Sequence, residues 1–181
     1  AVVASGCEAG GHVGMVSTLP LVPQVVDAVS IPVIAAGGIG DARGFVAAFA
    51  LGAVGVQMGT RFMATAESDL NQWGRSQLRG MRDTDTIVTR AMTGATVRCV
   101  ATPEIEAYER GLKDGLPEDA MSELKRAVRS SRNPTHRDER QQSAMGQIGG
   151  MIEDEPSVEE LIDVMLKSAA DIAHQLHSVA S

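Results

Sequence analysis

Residues 31–60 read IPVIAAGGIGDARGFVAAFALGAVGVQMGT, and the fold class can be argued outward from them. The apolar run Val33–Ala36 does not alternate with polar residues, which is typical of a strand buried on both faces in a parallel sheet. Gly37 and Gly38 follow directly, and the absence of a side chain there leaves room for a ligand to approach the backbone. We therefore expect a buried parallel strand that ends in a ligand-accessible turn.

A helix and a second strand are predicted after this turn. Asp41 predicts the N-cap of the helix, and Gly52 predicts a left-handed residue at its C-terminal end. The apolar residues between them share one helical face: Phe45, Val46 and Phe49. The next apolar run, residues 54–58, predicts a strand. Residues 31–60 thus predict a strand–helix–strand unit.

The preceding residues repeat this pattern. The apolar run Ala1–Ala4 predicts a strand, and a helix is predicted from Leu21 to Val29, with Pro20 and Pro23 at its entry because proline is tolerated in a first turn. Its predicted buried stripe consists of valines: Val22, Val25, Val26 and Val29. Three strands separated by helices predict a parallel α/β fold.

Two small-residue turns end the predicted strands, and they allow two interpretations. Ligands of parallel α/β folds lie beyond the carboxyl ends of the strands. The backbone N–H groups of Gly37, Gly38, Gly59 and Thr60 could therefore bind one anion such as a phosphate, with the Thr60 hydroxyl as a further donor. In the second interpretation, the glycines serve only to form tight turns. The spacing alone does not decide between them.

A dinucleotide-binding fingerprint does not fit the same residues. From Gly38, the pattern G-x-G-x-x-G requires glycine at a position that holds Arg43. About 20 residues further on, where an acidic residue should contact the ribose, the sequence reads Val56, Gln57 and Met58. The fingerprint is therefore excluded.

A histidine follows the first predicted strand in the glycine-rich loop CEAGGHVG, residues 7–14. Histidine exchanges protons near neutral pH, so His12 is a candidate catalytic residue. The alternative is a turn histidine that bonds a backbone carbonyl. Because this loop also follows a strand, we expect it on the same face of the fold as the two glycine turns, which favours the catalytic interpretation.

Composition excludes several classes of function. The 181 residues are 44% hydrophobic and carry a formal net charge of −7, with 3% aromatic residues. The acidic balance argues against a nucleic-acid surface. We find no apolar stretch long enough to span a membrane and no signal peptide, so we expect a cytoplasmic protein. Cys7 and Cys99 are far apart and lack partners at metal-ligand spacing, so no metal site is predicted; they are expected as reduced thiols, with a single disulfide as the alternative.

The remaining residues predict a small, mainly helical insertion and a closing helix. Helices are expected over Glu67–Leu78, Pro103–Leu112 and Glu118–Val128, a hairpin over Thr86–Thr89 and Val97–Val100, and a mobile loop over Arg129–Gln142. Residues 144–150 form a glycine-rich patch that fits either turns or another backbone approach to a ligand. A capping box at residues 157–160 starts the last helix. Its predicted buried stripe is Val158, Leu161, Ile162, Met165, Ala169, Ile172, Ala173 and Leu176.

Three motifs, taken together, resemble the nitronate monooxygenase family, formerly called 2-nitropropane dioxygenase, which includes FMN-dependent enoyl-ACP reductases. The motifs are EAGGH at residues 8–12, PVIAAGGI at residues 32–39 and QMGTRF at residues 57–62. The resemblance implies a (β/α)8 TIM barrel with a small inserted helical lid domain. It divides the chain into barrel strands over residues 1–66, a lid or substrate domain over 67–150 and a closing barrel helix over 151–181. Because the chain begins without Met inside a predicted strand, we expect a fragment that holds only the C-terminal strands of the barrel.

The resemblance also implies a cofactor and roles for individual residues. FMN would be bound with its phosphate on Gly37, Gly38, Gly59 and Thr60. Further flavin contacts would come from Gly11, Gln57 and Met58. His12 would be the catalytic histidine.

Two reactions are compatible with this resemblance. The first is oxidation of alkyl nitronates with O2 to carbonyl compounds and nitrite, and PQVVDA at residues 23–28 resembles that branch. The second is reduction of an enoyl thioester with NAD(P)H, and the short loop after His12 resembles the enoyl-reductase branch. A non-catalytic phosphate- or flavin-binding module is the third alternative. The sequence leaves the oligomeric state open.

Overall fold

A computed structural model describes residues 1–132 and 144–180. The elements of these residues are, in chain order, β1 (Val2–Ser5), β2 (Gly11–His12), α1 (Thr18–Ala28), β3 (Val33–Ala36), α2 (Ala42–Ala50), β4 (Gly55–Gln57), α3 (Thr60–Met63), α4 (Gln72–Leu78), β5 (Thr86–Thr89), β6 (Val97–Val100), α5 (Pro103–Lys113), α6 (Glu118–Arg132), a 3₁₀ helix (Gln147–Met151) and α7 (Val158–Ala180).

The first sheet is parallel, with strand order β1–β3–β4, as the sequence predicted. Ala4 pairs with Ala35, and Ala35 pairs with Val56. Helices α1 and α2 connect the successive strands, and the core around Val22, Ala35 and Ala48 lies between them and the sheet. The carboxyl ends of all three strands therefore meet at one edge, which is where six of the eight predicted site residues lie.

The predicted ends of α2 are confirmed. The Asp41 carboxylate accepts hydrogen bonds from the backbone N–H groups of Arg43 and Gly44, at 2.9 and 3.4 Å. At the other end, Gly52 has a φ of 95°, a left-handed conformation that favours glycine. Local capping thus fixes the length of this helix.

Helix α1 begins three residues earlier than predicted. Its first N–H, that of Thr18, donates to the Glu8 carboxylate, so a cap supplied by a distant loop starts the helix before the prolines. Pro23 consequently lies inside the helix rather than at its entry. The predicted burial of Val29 is wrong, because this residue is the C-cap and is exposed.

A second sheet, with strand order β2–β6–β5, is antiparallel. The predicted hairpin of β5 and β6 is confirmed, and helices α5 and α6 cover it through a core that includes Cys99, Ile105 and Val128. Gly11 and His12 were expected in a loop, but they pair with Arg98 and Val97 of the hairpin. The histidine segment therefore connects the two sheets.

Two predictions for the middle of the chain need correction. The helix expected from Glu67 begins only at Gln72, because Asn71 caps Gly74 N–H at 2.8 Å and Ser68 accepts a bond from Leu70 N–H, which stabilises a turn instead. Helix α6 continues through residues 129–132, which were expected in a loop. Residues 133–142 of that predicted loop lie outside the described residues.

The capping box of α7 is confirmed by reciprocal bonds between Ser157 and Glu160. Leu161, Met165 and Ala169 are buried against α2. The predicted burial of Ile162, Ala173 and Leu176 is wrong, since these residues are exposed. Among the described residues, α7 packs mainly against α2. A single neighbouring helix buries only one face of α7, so apolar residues on its other faces stay exposed.

Both cysteines are free thiols. Burial raises the pKa of the Cys99 thiol to about 11, so this side chain stays protonated and behaves as a small apolar core residue. Among the described helices, none combines the length and apolar character needed to cross a bilayer.

Candidate functional site

A cavity of about 100 Å³ opens at the carboxyl ends of the parallel strands. Six of the eight site residues predicted from the sequence line it: Gly37, Gly38, Gln57, Met58, Gly59 and Thr60. Its other walls come from the loop after β1 and from residues near the 3₁₀ helix, including Glu8, Gly10, Ala144, Gly146 and Ile148. The structure thus brings together the two glycine turns that the sequence placed about 20 residues apart.

The glycines that line the cavity differ in what a side chain would meet. Gly37 has a φ of 92°, and a Cβ there would lie 3.0 Å from Ala9 N, so the turn itself requires glycine. Gly38 also has a left-handed φ, of 70°. Gly59 has a φ of −95°, and apart from its chain neighbours no atom of the described residues lies within 4 Å of its Cβ position. Open space at Gly59 is what a bound group would need.

Three backbone donors at the cavity have no hydrogen-bond partner among the described residues. The N–H groups of Gly38, Gly59 and Thr60 make no hydrogen bond to another residue within 1–132 and 144–180. Two of them belong to the first turn of α3, where such groups are normally satisfied by a cap, water or a ligand. Unpaired backbone donors around a glycine-lined cavity suit an anion of phosphate size.

The Thr60 hydroxyl was expected to add a donor, and its oxygen has a role in the protein itself. It accepts a hydrogen bond from Gly146 N–H at 2.8 Å, and Thr60 is buried. A hydroxyl that accepts one bond still has its own proton to donate. The bond also fixes the position of residues 144–148, which form part of the cavity wall.

The glycine-rich patch at residues 144–150 packs directly on the loop after β1. Gln147 N–H donates to the Glu8 carbonyl at 3.0 Å, and a Cβ on Gly146 would lie 2.6 Å from that same carbonyl oxygen. A Cβ on Gly10 would collide with the Ala144 carbonyl. Both glycines are therefore required for close packing of two backbones, a role that neither interpretation of this patch had named, and Gly146 also lines the cavity.

Glu8 is a cavity residue that sequence reasoning did not identify. Both of its carboxylate oxygens accept from Thr18 N–H, at 3.1 and 3.0 Å. The sequence carried no signal for this role, because Ser17 is of a residue type preferred at N-caps and only the structure shows that its side chain makes no cap bond. Glu8 can accept the bond from the start of α1 only because the fold brings the loop after β1 to that helix.

The other two predicted site residues, Gly11 and His12, do not line the cavity. His12 is exposed, and its Nε2 lies 3.5 Å from the Thr93 hydroxyl in the turn of the hairpin. Gly11 has a φ of 90° and open space at its Cβ position. The structure therefore places the histidine beside the hairpin rather than among the glycine turns.

Taken together, the cavity fits the phosphate end of a cofactor such as FMN. A glycine turn with room at Gly59 and unpaired N–H groups provides both the space and the donors. In contrast, no cluster of three or more His, Cys, Asp or Glu side chains suited to a metal occurs among the described residues. These features define an α/β protein with a glycine-lined cavity at the carboxyl edge of its parallel sheet.

The model of the nitronate monooxygenase family matches residues 1–168, and the chain belongs to this family. A "Probable nitronate monooxygenase" of Staphylococcus aureus strain JH9 is 43% identical over 142 residues, which are 71% of this chain and 40% of that protein. The corresponding protein of strain Newman is 42% identical over the same length. This chain therefore spans about 40% of the length of the curated relatives it matches.

Solved structures show the same relationship. FabK from Thermotoga maritima superimposes with a TM-score of 0.82 and 37% identity, over 98% of this chain and 56% of that chain. Nitroalkane oxidase from Streptomyces ansochromogenes gives a TM-score of 0.73 and 27% identity, over 96% of this chain and 52% of that one. The described fold thus corresponds to about half of each of these structures.

Proposed function

We propose that the protein is an FMN-dependent oxidoreductase that oxidises alkyl nitronates with O2 to carbonyl compounds and nitrite. The observation that carries this proposal is the small cavity where six predicted residues meet, with three backbone N–H groups that lack a partner among the described residues. Membership of the nitronate monooxygenase family and the name of the S. aureus relatives support the reaction.

The fold proposal follows the same resemblance. The three parallel strands and their helices belong to a (β/α)8 barrel, with residues 1–66 as its strands, residues 67–150 as a lid or substrate domain and residues 151–181 as the closing helix. Phosphate sites of such barrels lie on the loops after the last two strands and on a short extra helix. β3, β4 and the short helix α3 correspond to that arrangement.

In this proposal each site residue has a defined task. Gly37, Gly38, Gly59 and Thr60 hold the phosphate through backbone N–H groups and the Thr60 hydroxyl. The remaining flavin contacts come from Gly11, Gln57 and Met58.

FMN, when bound, supplies the two-electron redox chemistry. His12 accepts the proton of a substrate that arrives as a neutral nitroalkane, or orients the nitronate anion. Its side chain is exposed and, among the described residues, has the Thr93 hydroxyl as its hydrogen-bond neighbour, so it is accessible to substrate.

Reduction of an enoyl thioester with NAD(P)H is the second candidate. The structure leaves only residues 13–17 between His12 and α1, and a short loop at this position resembles the FMN-dependent enoyl-ACP reductases. PQVVDA at residues 23–28, which lies within α1, resembles the monooxygenase branch instead. A reductive half-reaction distinguishes the two.

The first experiment asks whether the protein is a flavoprotein. The complete gene product is purified, its visible spectrum is recorded, and any flavin released on denaturation is identified. We expect a yellow protein that releases FMN. A colourless protein that also fails to take up added FMN would support the phosphate-binding module instead.

The second experiment identifies the reaction. Under anaerobic conditions, propyl nitronate should bleach the bound FMN without any pyridine nucleotide, and nitrite should form once O2 is admitted. An enoyl reductase would instead be bleached by NADH or NADPH and reoxidised by an enoyl thioester. Bleaching by a nicotinamide but not by propyl nitronate would replace the first candidate with the second.

A further inference from the structure

Glu8 connects the loop after β1 with the parts of the fold that surround the cavity. Its carboxylate accepts from Thr18 N–H, and its backbone carbonyl accepts from Gln147 N–H. We propose that Glu8 is a positioning residue, which holds the glycine turn after β3 in the conformation that binds phosphate and acts through Thr18. This inference rests on the proposed function, because it concerns the same cavity.

The connection to the glycine turn runs through the Thr18 side chain. The Thr18 hydroxyl oxygen lies 3.0 Å from a Glu8 carboxylate oxygen, 3.0 Å from the Gly37 carbonyl and 3.3 Å from the Ala36 carbonyl. Thr18 is buried, so water does not easily replace these partners. The hydroxyl has a single proton for these three acceptors. When it donates to the Gly37 carbonyl, it ties the turn that contains Gly37 and Gly38 to Thr18, whose N–H donates to the Glu8 carboxylate.

The packing around this network leaves little freedom. A Cβ on Gly6 would collide with the Thr18 hydroxyl and backbone nitrogen, and it would also lie 2.5 Å from the Glu8 carboxylate. On the cavity side, the Cβ position of Gly38 is 3.6 Å from the other carboxylate oxygen. The Glu8 side chain is thus enclosed between the start of α1 and the turn of the cavity.

The charge of Glu8 makes the inference testable, because its negative charge and its positioning bonds should change the affinity for phosphate in opposite directions. A carboxylate on the cavity wall repels a phosphate, so charge alone would make Glu8 weaken phosphate binding. Its bonds to α1 and Thr18 hold the donors in place, which would strengthen binding. Both carboxylate oxygens face the N-terminus of α1, where the helix dipole offsets negative charge. We therefore expect the positioning effect to be larger.

The test compares FMN with riboflavin, which lacks the phosphate. The dissociation constants of both flavins are measured for the complete gene product and for Glu8→Gln, Thr18→Val and Thr18→Ser. We expect Glu8→Gln and Thr18→Val to weaken FMN binding by about tenfold, the loss typical of a hydrogen bond to a charged group, and to leave riboflavin unchanged. Thr18→Ser, which retains the hydroxyl, should bind FMN like the wild type.

Glu67 provides a matched control. Its carboxylate accepts from Val158 N–H with both oxygens, at 2.9 and 3.0 Å, and so caps α7 in the way that Glu8 caps α1. It does not line the cavity. Glu67→Gln should therefore leave the ratio of FMN to riboflavin affinity unchanged, which separates loss of a helix cap from loss of positioning.

Three results would overturn the inference. Tighter FMN binding in Glu8→Gln would show that its charge is the larger effect. Equal weakening of FMN and riboflavin, or no change in either, would leave no positioning role. Inorganic phosphate is titrated in parallel, so that failure of the proposed function can be distinguished from failure of this inference. If the wild type binds no flavin, a lower phosphate affinity in Glu8→Gln than in the wild type supports the inference. Unchanged or undetectable phosphate binding overturns it.

Discussion

Glycine residues around the cavity have three separate physical roles. Gly37 and Gly38 adopt left-handed φ angles that the turn requires. Gly10 and Gly146 allow two backbones to pack in contact. Gly59 alone has both an ordinary φ and open space at its Cβ position, so it is the position where a ligand effect can be separated from a folding effect.

Replacement of Gly59 should therefore affect the cofactor and not the fold. Gly59→Ala places a methyl group where the phosphate would lie, so we expect FMN affinity to fall about tenfold or more with an unchanged Tm. Gly52→Ala is the converse control, because Gly52 has a φ of 95° and its added Cβ would lie 3.0 Å from the Val26 side chain. We expect this variant to lose about 1 kcal/mol or more of folding stability and to keep its FMN affinity. Equal effects of the two variants on cofactor content would show that both glycines serve folding.

His12 is the residue at which we expect an effect on catalysis to be most easily distinguished from an effect on folding. Because the side chain is exposed, we expect His12→Ala to leave Tm and FMN content nearly unchanged. Turnover should fall by ~100-fold or more if the side chain transfers a proton. Thr93→Val, which removes the neighbouring hydroxyl, serves as a milder comparison. Loss of FMN from His12→Ala with unaltered turnover per bound flavin would identify a cofactor-binding residue instead.

At the scale of the elements, ion pairs fix the segment that leads into α7. Asp154 pairs with the buried Arg61 at 2.6 Å, and Glu155 pairs with both Arg75 and Arg79, at 2.7 and 3.0 Å. Arg75 and Arg79 lie one turn apart near the C-terminus of α4. These pairs therefore tie α3 and α4 to residues 154 and 155, and so set where the last helix begins.

This arrangement predicts a pH-dependent contribution to stability. The hydrogen bond from Arg79, with further bonds and charge attraction from both arginines, lowers the pKa of Glu155 despite the opposing effect of desolvation. A pKa lowered on folding stabilises the native state above the ordinary value of 4.5, and this stabilisation is lost as the pH falls through the folded-state pKa.

Glu155→Gln should therefore lower the Tm at pH 7, and its Tm should converge with that of the wild type in acid. Thermal unfolding is measured from pH 7 to below the pKa of Glu155. Glu153→Gln is the control, because Glu153 forms no ion pair with any described residue. A constant difference in Tm at all pH values would contradict the role given to the carboxylate charge.

At the scale of the whole molecule, the cavity is assembled from four segments of the chain. Residues 5–10, 36–39, 57–60 and 144–148 contribute its walls. Hydrogen bonds from Gln147 to Glu8 and from Gly146 to Thr60 join the last of these segments to the others. Hydrogen bonds and packing hold these segments together, but the N–H groups of Gly38, Gly59 and Thr60 have no partner in the described part of the chain and add no such support. A ligand that bonds these donors should therefore stabilise the entire fold.

FMN should raise the Tm of the protein in a concentration-dependent manner. At a free concentration 100 times its Kd, a ligand that binds only the native state stabilises it by about 2.7 kcal/mol. Riboflavin at the same concentration should have a smaller effect, because it leaves the three N–H groups unpaired. The comparison is made by differential scanning fluorimetry or calorimetry on apoprotein. Equal shifts with both flavins would argue against a phosphate site in the cavity.

Much of the local structure could be predicted from the sequence. The strand at Val33–Ala36, the cap at Asp41, the left-handed Gly52 and the capping box at Ser157 are all present. Each of these features depends on residues within a few positions of one another, so its physical cause is contained in a short stretch of chain. The parallel order of the strands followed from the same signals, because helical connections between strands require it.

Only the tertiary structure decided where distant segments meet. The Glu8 carboxylate, ten residues away, starts α1 at Thr18, and the hairpin draws His12 into a strand. Gly146 closes the cavity by donating to Thr60 across the chain. The exposed side of α7 likewise depends on which neighbours cover it, since an apolar stripe in the sequence does not specify its partner. Hydrogen bonds and contacts between residues far apart in sequence carry no local signal, because their geometry exists only after the chain has folded.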